Sequence, residues 1–380
     1  MGIYLLVLLF VMAYGVIYKP NKSIRKRKNF LFICFGIMII VSALRNYTVG
    51  RDLQSHYYRT FQNIINMPWN NFSASSYDPG YVVFYKLIGI FTDNPQWMIA
   101  IHALFVIGIS GWFIYKNSDD VVLSTFMFIA TNTWFMYMTM MRQAMAICFT
   151  LIALEIWKKV NWKTWRYILF VATILIAATF HSSALLGFAY PVFNIIKFRR
   201  KEILLSIVVV VASFIFYQRI YSIFARIISI RRDFAEFYSS SGSAINIISL
   251  YGVALNALIF LLGCYVLAYK ARNKENINDY DGNPVLTDTF SNSFLLFMGL
   301  LMVICKLTGL RINIMSRMAY YVGPFMWLLF PRVLEKTNLK SNKQILKYGI
   351  GLIMLIAFIW MGYRSAADLY GTVPYELFWR

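Results

Sequence analysis

Fourteen residues, Arg45–Tyr58 (R-N-Y-T-V-G-R-D-L-Q-S-H-Y-Y), hold two arginines, an aspartate, a histidine and three tyrosines directly behind a long apolar run. Charges at the mouth of a membrane helix are costly unless they are paired or bind something. Arg45 and Arg51 carry planar guanidinium forks suited to phosphate or carboxylate. Gly50 lets the backbone turn sharply between Arg45 and Asp52. The chemistry that fits is an extracytoplasmic site for a phosphate-bearing lipid. The nearest carboxylates on that side are Asp52 and Asp78. Each is either the structural counter-ion of an arginine or a base that takes a proton from an attacking sugar hydroxyl. Neighbouring arginines weaken a carboxylate as a base, which gives at least one of the two a steering or hydrogen-bonding role.

Three later places carry similar residue types. Arg142-Gln143 falls between two apolar runs, where an arginine either snorkels to the surface or binds phosphate. His181 ends the run F-V-A-T-I-L-I-A-A-T-F and opens H-S-S. An imidazole there is either simply hydrogen-bonded or placed as a general base or as a donor to an oxyanion. Arg311 and Arg317 flank N-I-M-S at the next outer turn, about two helical turns apart, so they could face one site together. No metal or cofactor is expected. The histidines (His56, His102, His181) are too dispersed for a zinc site. The four cysteines lie within apolar runs and form neither a disulfide framework nor a ligand cluster. Asp279-Tyr-Asp281 has the D-x-D form that holds divalent cations in nucleotide-sugar enzymes, but turn chemistry explains it in its Gly/Asn/Pro-containing loop. Phosphate-cradling, zincin and serine-hydrolase motifs are absent.

Membrane helices must position these residues. The chain of 380 residues is 59% hydrophobic and only 14% charged, and apolar runs near span length recur throughout. Backbone polar groups in lipid must be satisfied within each segment, so the expectation is an all-α, polytopic transmembrane helical bundle, a single integral membrane domain over 1–380. Spans are expected near 3–18, 29–45, 97–115, 121–139, 141–157, 166–181, 183–197, 203–218, 246–269, 291–310, 314–331 and 345–363. That makes about twelve crossings with both ends outside. Residues 46–96 form a long extracytoplasmic segment whose apolar piece 81–91 is short and holds Lys86, so it reads as re-entrant or interfacial. Residues 219–240 alternate arginine with Ile, Phe and Tyr, as in a helix lying along the outer interface.

A net charge of +21 would suggest nucleic acid in a soluble protein. Here positive-inside loops account for it, and no nucleic-acid partner is expected. The loops assigned to the cytoplasm (19–28, 116–120, 158–166, 197–201, 270–290 and 332–347) hold every lysine except Lys86 and Lys306. The outer loops and helix mouths hold arginine and no lysine. Charge sorting alone would deplete both residue types outside, so the choice of arginine reads as anion recognition.

Together these residues resemble the EpsG/Wzy-like family of bacterial polysaccharide polymerases, which act in exopolysaccharide, capsule and O-antigen assembly. The shared signatures are Arg45 followed by Gly50-x-Asp52 and Tyr57 or Tyr58; Tyr77-Asp78-Pro79-Gly80; Arg142-Gln143 at the start of a small-residue helix; Phe180-His181-x-Ser183; and the late arginines Arg311 and Arg317. The family more usually has glutamate where Asp78 stands. The resemblance implies a GT-C-like glycosyltransferase at the outer face of the bacterial cytoplasmic (inner) membrane. Donor and acceptor would both be polyprenyl-pyrophosphate-linked oligosaccharides, and the lipid bilayer and a chain-length regulator are compatible partners. Arg51, Arg142, Arg311 and Arg317 would contact pyrophosphate, with Arg45, Gln143 and Asp78 beside the substrate. Asp52 or His181 would handle the acceptor hydroxyl. A pyrophosphate leaving group suits an arginine-rich, metal-free site, because fixed guanidinium groups stabilise the charge that develops. Tyr57 and Tyr77, with Tyr47 and Trp69, offer aromatic faces to sugars, although aromatic residues also favour membrane interfaces without a ligand. Two rivals share the charges. A flippase would need them reachable from both faces, and an O-antigen-ligase-like transferase would differ only in its acceptor.

Overall fold

The computed structural model describes residues 1–69, 78–159, 163–228, 247–269, 290–337, 340–364 and 370–379. In chain order the helices are α1 (Gly2–Tyr18), α2 (Ile24–Ala43), α3 (Tyr58–Asn66), α4 (Pro79–Gly89), α5 (Pro95–Asn117), α6 (Val121–Ala130), α7 (Thr133–Thr139), α8 (Met141–Lys159), α9 (Lys163–Phe180), α10 (Tyr190–Ile195), α11 (Arg200–Ile215), α12 (Tyr217–Ile228), α13 (Ile247–Gly263), α14 (Asn292–Thr308), α15 (Asn313–Glu335) and α16 (Lys340–Arg364). Short 3-10 and π turns complete them. The described residues form no strand, only an isolated antiparallel bridge between Arg45 and Leu377. An apolar chain that satisfies its backbone within helices is what a bilayer demands, and this is a helical membrane protein.

The number of crossings departs from the expected twelve or so. Among the described residues, three helical stretches are long and apolar enough to cross: Pro95–Asn117, Ile247–Tyr269 and Lys343–Tyr363. Two bent pairs raise this to five if each is one span: Val121–Ala130 with Thr133–Thr139, bent by 52°, and Arg200–Ile215 with Tyr217–Ile223, bent by 85°. Several expected spans fall short in length, among them α1, Thr164–Phe180, Ser182–Ile195 and α14. The run 183–197 is a 3-10 turn, Ser182–Ala189, followed by the six-residue α10. The run 121–139 breaks at Asn132, which adopts φ 60. Asparagine is one of the few residues with a side chain that visits this left-handed conformation readily, and it interrupts the helix there.

The chain divides into two compact units, one of residues 1–115, 121–184 and 351–380, the other of 116–120 and 185–350. In the first, α8 and α9 pack antiparallel. Phe149 stacks on Phe180 at 5.2 Å and Trp157 meets Phe170 at 5.3 Å, with Ala153 and Ile174 sealed between. Tyr4 of α1 is wholly buried against Trp134, Phe135 and Tyr375, and its hydroxyl donates to the Thr372 carbonyl at 2.9 Å. On either side of 116–120, Arg27 of α2 donates to the Tyr115 carbonyl at 3.3 Å, and the Val121 N–H donates to Asn21 Oδ1 at 3.1 Å.

In the second unit the same short loop is held by cations. Asp119 pairs with Arg332 from the last turn of α15, both buried, and Arg332 also donates to the Phe290 carbonyl at 3.3 Å and to Asn292 Oδ1 at 3.1 Å. Asp120 pairs with Lys347 at 3.3 Å in a more exposed setting. The two neighbouring carboxylates should therefore behave differently. Removing one partner of a buried pair costs roughly 3–5 kcal/mol, whereas an exposed pair is worth about 0–1 kcal/mol. Asp119→Ala is expected to lower the melting temperature of the detergent-solubilised protein clearly, and Asp120→Ala to leave it nearly unchanged in the same thermal scan.

Candidate functional site

The site is built on the break between α7 and α8. Met140, between them, leaves the helical conformation at φ −88, ψ 61. The last carbonyls of a helix have no partner inside it. Arg45 supplies one: its side chain is fully buried and donates to the Met138 carbonyl at 3.1 Å and to the Ser42 carbonyl at 2.6 Å. A cation at that end of α7 also suits the helix dipole. Arg45 thereby ties the end of α2 to the break. This corrects the expectation that Arg45 touches substrate, because none of its surface is exposed.

The turn expected at Gly50 is present, with φ 122 and the Met138 carbonyl oxygen 3.0 Å from where a side chain would start. The loop around it is fastened to the end of the chain. The Phe378 N–H donates to the Leu44 carbonyl at 3.0 Å and the Asn46 N–H to the Glu376 carbonyl at 2.8 Å. The Gly50 N–H donates to the Gly371 carbonyl at 2.8 Å and the Arg51 N–H to the Tyr370 carbonyl at 2.9 Å. Sequence reasoning gave this tail no role. Its signal was composition: Gly371-Thr-Val-Pro374-Tyr375 cannot continue the last apolar helix, yet it is neither charged nor polar enough for a loop tip.

Beyond Gly50, Arg51 is exposed and Asp52 half-buried at the start of a π turn, Leu53–Tyr57. Tyr57 points inward. Its ring lies 5.4 Å from that of the fully buried Tyr81, and its phenol lies close to Arg142. Burial pushes the Tyr57 phenol above its ordinary value, against the pull of Arg142, so it stays neutral; Asp52 is near enough to add to the shift. Arg142, the second residue of α8, makes an ion pair with Asp78 at 2.9 Å, both side chains largely shielded. Asp78 stands at the N-cap of α4, with Pro79 following, where a missing N–H costs nothing. Its carboxylate goes to Arg142 and does not cap the helix. Gln143 beside it is buried.

Gly80 brings in the last component. A side chain there would overlap Thr179 Oγ1, lie 2.9 Å from Phe180 Cδ2 and 3.0 Å from the Thr179 carbonyl carbon. Only glycine allows α4 to rest on the end of α9. Tyr81 meets Phe180 edge-on at 6.4 Å. His181 follows at once, half-buried, with Nδ1 2.5 Å from the hydroxyl of the buried Ser183. Tyr57, Asp78, Arg142 and the segment leading into His181 are thus joined by direct contacts, although the sequence scatters them. Tyr81 was missed as a member, and its aromatic neighbours at 77 and 85 hid it among interface tyrosines.

Other expected residues are placed differently. Arg311 and Arg317 belong to the second unit. α15 starts at Asn313, so Arg311 lies in the turn before it and Arg317 within its first turns, as the expected spans have it. Arg311 is exposed and stacks over the Phe214 ring at 5.1 Å. The expected apolar piece 81–91 is the short helix α4, and its Lys86 is buried, donating to the Met67 carbonyl and to the Ile65 carbonyl at 3.2 Å. That lysine caps α3. His102 is buried with Nε2 3.1 Å from the Met141 carbonyl. Among the described residues no group of His, Cys, Asp and Glu is arranged to hold a metal ion. Tyr77, Asp279-Tyr-Asp281 and residues 229–240 of the expected interfacial helix lie outside the described residues.

The packing at Gly80 yields a sharp expectation. Overfilling a close-packed contact costs about 1–3 kcal/mol, so Gly80→Ala should lower thermal stability and loosen the seat of His181. Gly36→Ala in α2, where a side chain meets nothing within 4 Å, should do neither. Thermal scans of the two purified variants check this.

No curated protein and no solved structure matches the chain. A model of the EpsG family matches residues 28–377, nearly its whole length and every described component of the site. With Arg45, Gly50-x-Asp52, Asp78-Pro79-Gly80, Arg142-Gln143 and Phe180-His181-x-Ser183 all inside that match, the chain belongs to the EpsG family.

Proposed function

We propose that this protein is a polysaccharide polymerase, a glycosyltransferase of the bacterial cytoplasmic membrane working on its outer face. It transfers a growing glycan from polyprenyl pyrophosphate to a sugar hydroxyl of the next lipid-linked repeat unit. Membership of the EpsG family supports this reading. The observation that carries it is Arg142, paired with Asp78 at 2.9 Å, with Asp78 preceding the glycine that packs on the segment delivering His181. The same reading makes the architecture GT-C-like, with the shorter apolar helices counted as crossings too.

The chemistry divides among these residues. The acceptor hydroxyl oxygen attacks the anomeric carbon while the bond from that carbon to the pyrophosphate oxygen breaks. Charge builds on the leaving pyrophosphate, and an already oriented guanidinium stabilises it without reorganising. Arg142 fills that role, and the exposed Arg51 holds a second phosphate oxygen. Asp78, paired to Arg142, is a weak base, so its part is to aim the guanidinium. His181 takes the hydroxyl proton: with Nδ1–H donating to Ser183 Oγ, the Nε2 lone pair is the acceptor. Asp52, next to Tyr57, orients the acceptor sugar, and Tyr57 itself stays a neutral donor. Arg311 and Arg317, on the other unit, are assigned to a carrier phosphate.

Polymer length in cells tests this. Arg142→Ala and His181→Ala are each expected to abolish long chains, with in vitro rates falling on the order of 10²–10⁴ for loss of the base. Arg317→Ala should shorten them. Long chains surviving in all three would sink the assignment. Purified protein given a lipid-linked repeat unit should produce a ladder. A single transfer to a terminal acceptor would indicate a ligase, and movement of the unit across vesicles without a ladder a flippase.

A further inference from the structure

The residues that would contact substrate do not include the end of the chain, yet that end supplies much of what holds them. Tyr370 and Gly371 take left-handed φ values of 58 and 62. For tyrosine this conformation is strained, and such strain persists only where the surroundings impose it, often beside functional groups. The reversal turns two successive carbonyls towards two successive amides of the loop. Gly371 O accepts from the Gly50 N–H at 2.8 Å, and Tyr370 O from the Arg51 N–H at 2.9 Å. Tyr370 O also accepts from Thr139 Oγ1 at 2.6 Å. One carbonyl therefore links the Arg51 backbone to the last residue of α7, three positions before Arg142.

A second attachment lies on the other side of Gly50. Asn46 donates through its N–H to the Glu376 carbonyl at 2.8 Å and through Nδ2 to the Leu377 carbonyl at 3.3 Å. Thr48 Oγ1 donates to Glu376 Oε2 at 2.9 Å, and Tyr375 donates its hydroxyl to the Val41 carbonyl at 2.9 Å. The tail itself is pinned from behind by Tyr4 through the Thr372 carbonyl. At Gly371 the fit to the loop leaves no room: a side chain there would lie 2.9 Å from the Arg51 nitrogen and 3.2 Å from its Cα.

We propose that the C-terminal segment Tyr370–Phe378 is a positioning strap for the substrate loop, and that Gly371 is a positioning residue that sets where Arg51 and Asp52 stand. The proposal rests on the polymerase reading for what Arg51 binds, but not for how the strap holds it. A tail that merely closed one end of the helix bundle would affect stability alone. A strap acts on substrate through Arg51.

Gly371→Ala in the full-length protein separates the two. A misplacement of about an ångström costs up to roughly 10²-fold, so the variant should raise KM for the lipid-linked repeat unit on the order of tenfold or more. The double variant Gly371→Ala/Arg51→Ala should be no worse than Arg51→Ala alone, as expected for groups acting through one another. Effects that simply multiply, or an unchanged KM, would overturn the proposal. Amide hydrogen exchange reads the strap without any substrate: Gly50 and Arg51 should exchange faster in Gly371→Ala while the α8 amides keep their protection. Unchanged exchange at Gly50 and Arg51 would refute the strap even if polymerisation were proven. Faster exchange in a protein that makes no polymer would refute only the polymerase reading. Should Gly371→Ala fail to fold, Glu376→Ala removes the carboxylate that accepts from Thr48 Oγ1 and tests the second attachment, with faster exchange at Thr48 and a higher KM expected, and no change in either refuting it.

Discussion

A fully buried guanidinium solvated by backbone carbonyls is the constraint from which the rest of the site follows. Taking Arg45 out of water costs several kcal/mol. Its two bonds to the carbonyls of Ser42 and Met138, each worth about 1.5–3 kcal/mol when one partner is charged, offset that cost only if both carbonyls stay where they are. The Met138 carbonyl is available because α7 ends there, and Ser42 lies in the last turn of α2. Arg45 thus fixes the angle at which the chain leaves α2 and the place where α8 starts. Arg142 stands at that start, so a buried structural arginine decides where the one paired with Asp78 points.

The second organising feature is the approach of α4 to the end of α9 across Gly80. It sets Asp78 at one end of an ion pair and His181 beside the same contact. Tyr57 and Tyr81 fill the space between with closely packed rings, 5.4 Å apart. The result is a guanidinium held in one orientation by a carboxylate and a phenol. For the proposed reaction, in which a diphosphate departs, a guanidinium fixed in advance stabilises the developing charge better than a flexible one. The C-terminal strap extends the principle to Arg51, whose backbone is held while its side chain remains exposed.

Cations elsewhere do different work. Arg332 and Lys347 neutralise Asp119 and Asp120 around a short loop of the second unit, and Lys86 caps a short helix. These are structural uses, in which a carboxylate or a carbonyl end absorbs the charge. The arginines Arg51 and Arg311 are exposed, the arrangement that binding an external anion requires.

The sequence alone determined a good deal. Apolar runs made the helices and the membrane setting legible, because backbone groups in lipid have no other partner. The sorting of lysine from arginine raised the expectation of anion recognition, and Gly50, Asp78-Pro79-Gly80, Arg142 and His181 stood out by type and spacing. The tertiary structure decided the rest: that Arg45 is enclosed, that Asp78 belongs to Arg142, and that the tail holds the loop. Each of these depends on a neighbour distant in the chain, Arg45 on Met138, Asp78 on Arg142, Arg51 on Tyr370. Local pattern records what a residue can do, but whether a guanidinium meets water, a carbonyl or a carboxylate is set by what the fold carries up against it.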